Sequence, residues 1–395
     1  MPTLAKRILE TPASAPIMMA DMAAKLRREG IDVFDFSAGR AAEHSPHYVN
    51  LAAAEAVVAG DTHQTMAQGK PEYREACAKK LLRENGIQAD PEKSIIATLG
   101  CKHGLTLSLL TLINPGDEVI VENPCFVSFR PTIGLCGGTP VPVPLHHENH
   151  YRWDIEELEA AITERTRAIL FCSPHNPTGA VHTESDLDKI AEIACKHDLV
   201  VISDEIYERC TWGDRRHISL TTRSGMKERT ITLMGLTKSF SMGGWRIGFI
   251  YAPENIIAGM TKIQQHLITC AGSFTQTGAI RALEDTPPVE VTDLWQDWEK
   301  RCRHVVTEIN KIPNVSCRYP EGGFFAWINI KDTGMNSTRL AEKLLHDHHI
   351  ALVPGVAFGS QGEGYLRMTC VRSWDEISAG LKRFKEAMYE YAPNV

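Results

Sequence analysis

Short apolar runs alternate with amphipathic segments through the middle of the chain. The apolar runs cover 94–99, 118–121, 168–172, 199–203 and 231–234. Between them, apolar residues recur at helical spacing in 103–113, 155–162 and 184–197. Apolar strands that alternate with helices predict a parallel sheet whose two faces are covered by helices.

Both ends of the chain follow a different pattern. After one long helical stretch at 255–283, a Thr-Pro-Pro break occupies 286–288. Mixed elements then predict an α+β module, with helices at 291–311, 338–346 and from 374, and strands at 315–318, 326–330, 350–353 and 364–369. Near the other end, a strand is predicted at 32–36.

A helix is predicted over 14–28, near the start of the chain. Ser14 is its expected N-cap and Pro16 lies in its first turn. Its apolar residues recur at roughly helical spacing; they are Ile17, Met18, Met22 and Leu26.

Composition excludes several classes of function. The net charge of -7 and the pI near 6.2 give no electrostatic basis for binding nucleic acid. The apolar stretch at 105–113 is too short to span a bilayer, and the first residues lack the apolar core of a secretory signal. Eleven cysteines are scattered without a CxxC pair or zinc-site spacing. We therefore expect reduced thiols, no metal, no membrane contact and a cytoplasmic protein.

A lysine lies in a loop between two apolar runs. The runs at 231–234 and 247–251 flank a polar segment that contains Thr237, Lys238 and Arg246. Burial lowers the pKa of an amine and makes it a nucleophile or imine partner, although most lysines in loops are solvated. The hydroxyl and the two cations together suit an anion such as phosphate.

Other strand ends also carry candidate groups. Gly100 opens a helix, and the N–H groups of such a turn attract anions. Asp204 follows the apolar run LVVIS, where an acid is costly unless it is paired; the alternative is a helix N-cap. Asn176 lies in an Asn-Pro-Thr-Gly sequence, which is a turn by composition alone.

Together these motifs resemble the class I/II aminotransferases, which are fold-type I enzymes that use pyridoxal phosphate (PLP). The Thr-Lys pair followed by Gly-Trp-Arg resembles the lysine motif of that family. Its other motifs occur in the family's order between residues 32 and 367. The resemblance implies an α/β fold with a large PLP-binding domain at 47–288. A smaller α+β domain would combine residues 289–395 with part of 1–46, which also forms an N-terminal arm.

The resemblance implies a role for each residue near the cofactor. Lys238 would hold PLP covalently. Asp204 would pair with the ring nitrogen, and Asn176 and Tyr207 would donate to the ring oxygen. Phe126 would stack on the ring. The residues implied at the phosphate are Gly100, Cys101, Lys102, Thr237, Arg246 and, from the neighbouring subunit, Gln64.

Substrate contacts and departures from the family pattern follow from the same resemblance. Arg367 and Asn176 would bind the α-carboxylate, and Gly39 and Arg40 would lie at the substrate mouth. Arg40 stands where the family has an acid or amide, and Gln64 stands where it has a tyrosine. Lys102 and Arg40 favour a substrate with a second carboxylate, such as aspartate or glutamate. Either cation could instead face solvent.

The implied function is an aminotransferase that moves an amino group from an L-amino acid to a 2-oxo acid by a ping-pong mechanism. Lys238 would act as general base and acid, with Asp204 and Tyr207 as the other catalytic residues. A homodimer with shared active sites is implied. Two alternatives remain: a β-lyase, decarboxylase or oxidase on the same fold, and the effector domain of a transcription regulator. Residues 1–30 are too short, and not basic enough, for the DNA-binding module of such a regulator.

Overall fold

The structure is a computed structural model that describes residues 3–284 and 287–391. In chain order its strands are β1 (Phe34–Asp35), β2 (Ile95–Thr98), β3 (Glu118–Asn123), β4 (Thr139–Pro144), β5 (Thr166–Cys172), β6 (Val200–Asp204), β7 (Thr230–Gly235), β8 (Gly248–Tyr251), β9 (Ser316–Cys317), β10 (Phe325–Asn329), β11 (Ile350–Ala351), β12 (Val353–Pro354) and β13 (Tyr365–Thr369).

The α-helices alternate with these strands. They are α1 (Lys6–Leu9), α2 (Ala15–Arg28), α3 (His47–Val58), α4 (Pro71–Asn85), α5 (Cys101–Leu112), α6 (Phe129–Leu135), α7 (Ile155–Ala160), α8 (Glu184–Lys196), α9 (Glu254–Leu267), α10 (Ser273–Leu283), α11 (Val289–Ile309), α12 (Ser337–His348) and α13 (Trp374–Tyr391).

The apolar runs form a seven-stranded sheet in the order β2-β8-β7-β6-β5-β3-β4. Strands β3 to β7 pair in parallel, and β8 is antiparallel to both β2 and β7. Strands β2, β3 and β8 are buried along their whole length, as expected for strands covered on both faces. Parallel strands bring their carboxyl ends to one edge of the sheet. The mostly parallel α/β sheet predicted from the sequence is confirmed.

The two ends of the chain meet in a smaller α+β part. Strands β12, β13, β10 and β9 form an antiparallel sheet, and β1 pairs in parallel with β11. Residues before 46 therefore pack with residues after 289, as the fold class requires. The division into 1–46, 47–288 and 289–395 stays a prediction. Thr286, the first residue of the Thr-Pro-Pro break before the second boundary, lies outside the described residues.

Two predicted helices differ in detail. The stretch 255–283 is not one helix but two, because the chain turns at Thr269, whose φ is +69°. In α2, the buried apolar residues are Met19 and Ala23, whereas Ile17 and Met18 are about half exposed. Ser14 precedes α2 as predicted, but its hydroxyl makes no capping hydrogen bond.

Gly179, in the turn after β5, joins the two parts of the molecule. Its carbonyl oxygen accepts hydrogen bonds from the N–H groups of Glu321 and Gly322, each at 2.9 Å. Its φ is +75°, and a Cβ at this position would lie 2.9 Å from the Gly322 carbonyl oxygen and closer still to Pro320. Only glycine satisfies both the backbone conformation and the close approach.

Gly179→Ala should therefore lower the free energy of unfolding by roughly 2–4 kcal/mol, from left-handed strain plus overpacking. Gly30→Ala is the matched control, since its φ is +85° but nothing lies within 4 Å of the added Cβ. Urea unfolding of both variants separates the two contributions. Equal losses in the two variants would show that packing against Pro320 adds nothing.

Candidate active site

Most of the predicted site residues line one cavity of about 450 Å³ at the carboxyl edge of the large sheet. From the predicted set, these are Gly39, Cys101, Lys102, Phe126, Asn176, Asp204, Tyr207, Thr237, Lys238, Arg246 and Arg367. They converge because Asp204 ends β6, while Asn176, Lys238 and Cys101 follow β5, β7 and β2. The order of strands in the sheet thus assembles groups that are far apart in the sequence.

One end of the cavity is built for an anion. Gly100 precedes α5 with a φ of +79°, and no side chain caps the helix, whose first N–H groups, as in any α-helix, lack intrahelical partners. The Arg246 guanidinium packs against Gly100, and a Cβ there would lie 3.0 Å from Arg246 Nη2. Thr237 adds a hydroxyl to the same wall. The group is a dipole end, a cation and a hydroxyl, which together match phosphate.

Local bonds hold Arg246 in this position. Its backbone is left-handed, with φ +52°, which is uncommon for a residue with a side chain. Arg246 Nη1 donates to the Gly243 carbonyl at 3.0 Å and Nη2 donates to the Leu99 carbonyl at 2.9 Å. Both acceptors are neutral, so the guanidinium charge is available to a ligand.

The Asp204 carboxyl group is buried without a counter-ion. Its side chain accepts a hydrogen bond from the N–H of Ile206 at 3.2 Å, and no cation lies within ion-pair distance in the described part of the chain. Burial, opposed by that hydrogen bond and reinforced by the Glu205 charge, raises the pKa of Asp204 to about 7. A cationic occupant of the cavity would restore the charged form.

Lys238 extends over an aromatic floor toward the N-terminal segment. Its Nζ donates to the Gly39 carbonyl at 2.6 Å and lies 5.8 Å from the centre of the Tyr207 ring. Burial, together with the nearby Arg367 charge, lowers the pKa of Lys238 to about 8. A substantial fraction of neutral amine therefore exists close to neutral pH, as a nucleophile or base requires.

A hydrogen-bonded chain of three side chains crosses the cavity. Arg367 Nη1 donates to Asn176 Oδ1 at 3.0 Å, and Asn176 Nδ2 donates to the Tyr207 hydroxyl at 3.4 Å. Arg367 Nη2 donates to the Ser37 carbonyl at 2.6 Å, whereas its Nε has no partner among the described residues. The guanidinium lies 4.2 Å from the centre of the Phe325 ring. Burial lowers the pKa of Arg367 to about 10, and the group remains a cation.

Lys102 stands at the outer wall of the cavity. Its Nζ lies 5.4 Å from the centre of the Phe126 ring, a cation–π contact. Burial, followed by the charge of Arg246, lowers the pKa of Lys102. No carboxylate pairs with it in the ranges that the structure describes.

Three predicted residues do not line this cavity. Gly100 contributes through its contact with Arg246. The side chain of Arg40 is exposed, and the chain presents the neighbouring Gly39 to the cavity, so the substrate contact implied for Arg40 stays a prediction. Gln64 is exposed as well, and its implied contact with a neighbouring subunit stays a prediction.

Other wall residues were missed from the sequence. Pro16, Ile17 and Ala20 of α2 form an apolar wall, Ser14 lies beside it just before the helix, and Phe325 closes the floor. Helical spacing alone does not distinguish a core residue from one such as Ile17, which is half-exposed on the cavity wall. Phe325 approaches closely at Gly39, where a Cβ would lie 2.8 Å from the ring, and no signal in the sequence shows this approach.

The described residues, 3–284 and 287–391, contain no group of three or more His, Cys, Asp or Glu side chains arranged to hold a metal ion. None of the helices in these ranges has the length and apolar character needed to cross a membrane.

Comparison with known proteins gives consistent matches along the chain. The profile of the family "Aminotransferase class I and II" matches residues 31–384. The chain is 38% identical to an aspartate aminotransferase of Pyrococcus abyssi, over 91% of this chain and 92% of that protein. It is 37% identical to aromatic-amino-acid aminotransferase 2 of Thermococcus litoralis, over 88% and 89%. The structure of a Thermus thermophilus aspartate aminotransferase with maleate is similar, with a TM-score of 0.91, 32% identity and 98% and 100% coverage.

The buried Asp204 should make the ligand-free protein sensitive to pH. In the unfolded chain this carboxyl ionises near 3.8, and in the folded chain near 7. The folded form holds the proton more tightly than the unfolded chain. The contribution of protonated Asp204 to the free energy of unfolding is therefore fully present below about pH 4 and is lost as the pH rises through about 7. Asp204→Asn removes this loss and should stabilise the ligand-free protein at pH 8 by about 2–4 kcal/mol.

Thermal unfolding at pH 4 and pH 8 measures the effect, which should vanish at the lower pH. Asp198→Asn is the control, because the Asp198 carboxylate is 94% exposed. If the Asp204→Asn variant is no more stable than wild type at pH 8, Asp204 is not an unpaired buried charge in the folded protein.

Proposed function

Since this chain belongs to the aminotransferase class I and II family, we propose that its preferred substrates are amino acids and 2-oxo acids with an acidic side chain. The protein is a PLP-dependent aminotransferase, which transfers an amino group between an amino acid and a 2-oxo acid. The observation that carries the acidic preference is Lys102, a cation on the cavity wall that no carboxylate of the described residues neutralises.

The cavity fits PLP at both of its ends. The N-terminus of α5, Arg246 and Thr237 would hold the phosphate, as the anion end described above. The unpaired Asp204 would hold the protonated ring nitrogen, and Phe126 would cover the ring. When bound, the cofactor accepts the amino group and withdraws electrons from the substrate's α-carbon. The fit rests on an orphaned buried acid that lacks only a cation.

Lys238 is the group that moves the proton. Its Nζ is held by the Gly39 carbonyl and lies above the Tyr207 ring, facing the interior of the cavity. With a pKa of about 8, the amine both accepts and returns a proton near neutral pH. Tyr207 and Asn176 would orient the reacting end of the substrate through their shared hydrogen bond.

Arg367 would bind the α-carboxylate. Arg367 is 2% exposed, and among the described residues its guanidinium has hydrogen bonds only with the neutral oxygens of Asn176 and Ser37. A carboxylate that pairs with two of its nitrogens would gain charge-assisted hydrogen bonds that a lysine could not provide in the same geometry. The α-carboxylate is common to all amino acids, so Arg367 does not select among side chains.

The substrate side chain would then lie between Lys102 and the apolar wall of α2. Lys102 favours a carboxylate, and a Thermus thermophilus relative with maleate, a dicarboxylate, has a similar structure. The wall formed by Pro16 and Ile17 instead favours an apolar side chain, which is the second candidate. Relatives named for aspartate and for aromatic amino acids both occur.

Lys102→Met should separate these two candidates. We expect kcat/KM for aspartate and glutamate to fall roughly 10- to 100-fold, as for the loss of a charge-assisted hydrogen bond. For phenylalanine it should change less than about threefold, because that side chain makes no ion pair. The affinity for PLP should be kept, since the backbone N–H groups of α5 remain.

The rates are measured from the change in cofactor absorbance as each amino acid transfers its amino group. Lys93→Met is the matched control, on an exposed lysine paired with Glu254, and Lys238→Ala gives the background. Equal falls for all substrates would contradict the acidic preference. Release of ammonia or carbon dioxide in place of stoichiometric transfer would instead indicate a lyase, oxidase or decarboxylase.

We also infer a homodimer with shared active sites. Exposed apolar residues cluster on α3, α10 and the loop that carries Gln64; they are Leu51, Val57, Val58, Met66 and Phe274. Helix α3 packs along α10, so these residues occupy neighbouring surfaces. An apolar patch of this kind is typical of a subunit interface. It would bring Gln64 to a partner's phosphate site.

Val58→Asp should convert the dimer into single chains, because Val58 is 89% exposed within the patch. Val289→Asp is the control, on a 70% exposed valine at the start of α11. Sedimentation of the PLP-loaded enzyme distinguishes the two masses. A wild-type protein that sediments as a single chain would overturn the proposal.

A reducing compartment, most simply the cytoplasm, fits the thiols. All eleven cysteines lie in the described ranges, and none is in a disulfide. Most of them are buried, and burial raises the pKa of thiols such as Cys77, Cys101 and Cys172. They act as small apolar side chains of the core.

A further inference from the structure

A second cavity, of about 230 Å³, lies beside the turn that carries Asn176. That turn contributes Asn176 to the first cavity and Thr178, Gly179 and Ala180 to the second. The second cavity has about half the volume of the first, so it suits a molecule smaller than a cofactor with its substrate. No step of the aminotransferase reaction described above uses it.

The floor of this cavity contains an unpartnered donor. Trp327 is 5% exposed, and its Nε1 has no hydrogen-bond partner within the described residues. The indole stacks on the ring of Tyr365, with 5.0 Å between centroids and an interplanar angle of 4°. A buried N–H without an acceptor is costly and uncommon. The Tyr151 hydroxyl also lines the cavity near Trp327, but it forms no hydrogen bond of regular geometry with Nε1, so a ligand oxygen could serve as the acceptor.

The rim of the cavity gathers positive charge. Arg318 Nη1 donates to the His147 carbonyl at 3.1 Å, and Nη2 meets His150 Nδ1 directly. The Arg318 charge lowers the pKa of His150. Over residues 3–284 and 287–391, no carboxylate pairs with Arg318. An arginine turned toward an imidazole, with no acid between them, marks a place for an anion.

The backbone at this rim is strained, and the nearest acid is already neutralised. His150 and Tyr151 have φ values of +55° and +57°, a costly conformation for two successive residues with side chains. The Glu321 carboxylate receives hydrogen bonds from Arg152 and Arg215, each at 2.7 Å. The charge of Arg318 thus remains uncompensated at the mouth.

We propose that this second cavity binds a small organic carboxylate. Its carboxylate would pair with Arg318 and His150 at the rim, and an oxygen at its other end would accept a hydrogen bond from Trp327 Nε1 at the floor. Recognition at two ends selects a dicarboxylate, hydroxy acid or oxo acid over a compact inorganic anion. The site is distinct from the aminotransferase cavity and does not depend on which amino acid that cavity prefers.

Calorimetric titration of the PLP-loaded enzyme with succinate tests the proposal. Succinate should bind a class of sites in the second cavity, and a second class appears in the aminotransferase cavity if that cavity accepts dicarboxylates. Arg318→Gln and Trp327→Phe should each weaken binding to the second cavity at least tenfold, because each removes a hydrogen bond to a charged or buried group. The affinity of the aminotransferase cavity should change less than about twofold. Arg303→Gln, which removes a 54% exposed arginine paired with Glu299, should change neither class.

A wild type with no succinate-binding class that Arg318→Gln weakens would overturn the proposal. Arg318 is an exposed rim residue, so this variant tests the proposal even if Trp327→Phe fails to fold. Inorganic phosphate should bind the same class at least tenfold more weakly than succinate, because it meets only the rim. Equal affinity for phosphate would overturn recognition at two ends.

Discussion

The hydrogen bond between Arg367 and Asn176 is the contact on which the active cavity depends. Arg367 belongs to β13 in the small sheet, and Asn176 to the turn after β5 in the large sheet. The same guanidinium also binds the Ser37 carbonyl, near the N-terminal end. Three distant segments thus meet at one buried cation. It acts together with the backbone contacts at Gly179 and with the hydrogen bonds of Glu321 to Arg152 and Arg215, which also join the two parts.

Burial of unpaired charge gives this cavity its chemistry. Asp204 lacks a cation, Lys238 is pushed toward its neutral form, and Arg367 is met only by neutral oxygens. Each arrangement costs stability in the empty protein, and each is relieved by one part of PLP or of an amino acid. Stability and function therefore oppose each other at these positions. The pH dependence of the empty protein is a direct expression of that opposition.

The two cavities share their supports. The turn 176–180 and strand β10 contribute to both, with Phe325 in the first cavity and Trp327 in the second. In the sheet, Trp327 is the register partner of Arg367. Arg367, the proposed ligand of the substrate carboxylate, therefore lies on the strand next to that of Trp327, which faces the second cavity.

The sequence by itself determined the strands of the large sheet, the order of the motifs and the group at each strand end. It could do so because apolar runs and glycine turns are local signals. Only the tertiary structure decided that Arg40 faces solvent while Gly39 faces the cavity, and that Ile17 lines a wall and not the core. The same holds for the turn at Thr269, which divides the predicted helix in two, and for the N–H of Trp327, which has no hydrogen-bond partner in the described residues. These features depend on which segments pack together, and spacing along one segment carries no information about its neighbours in space.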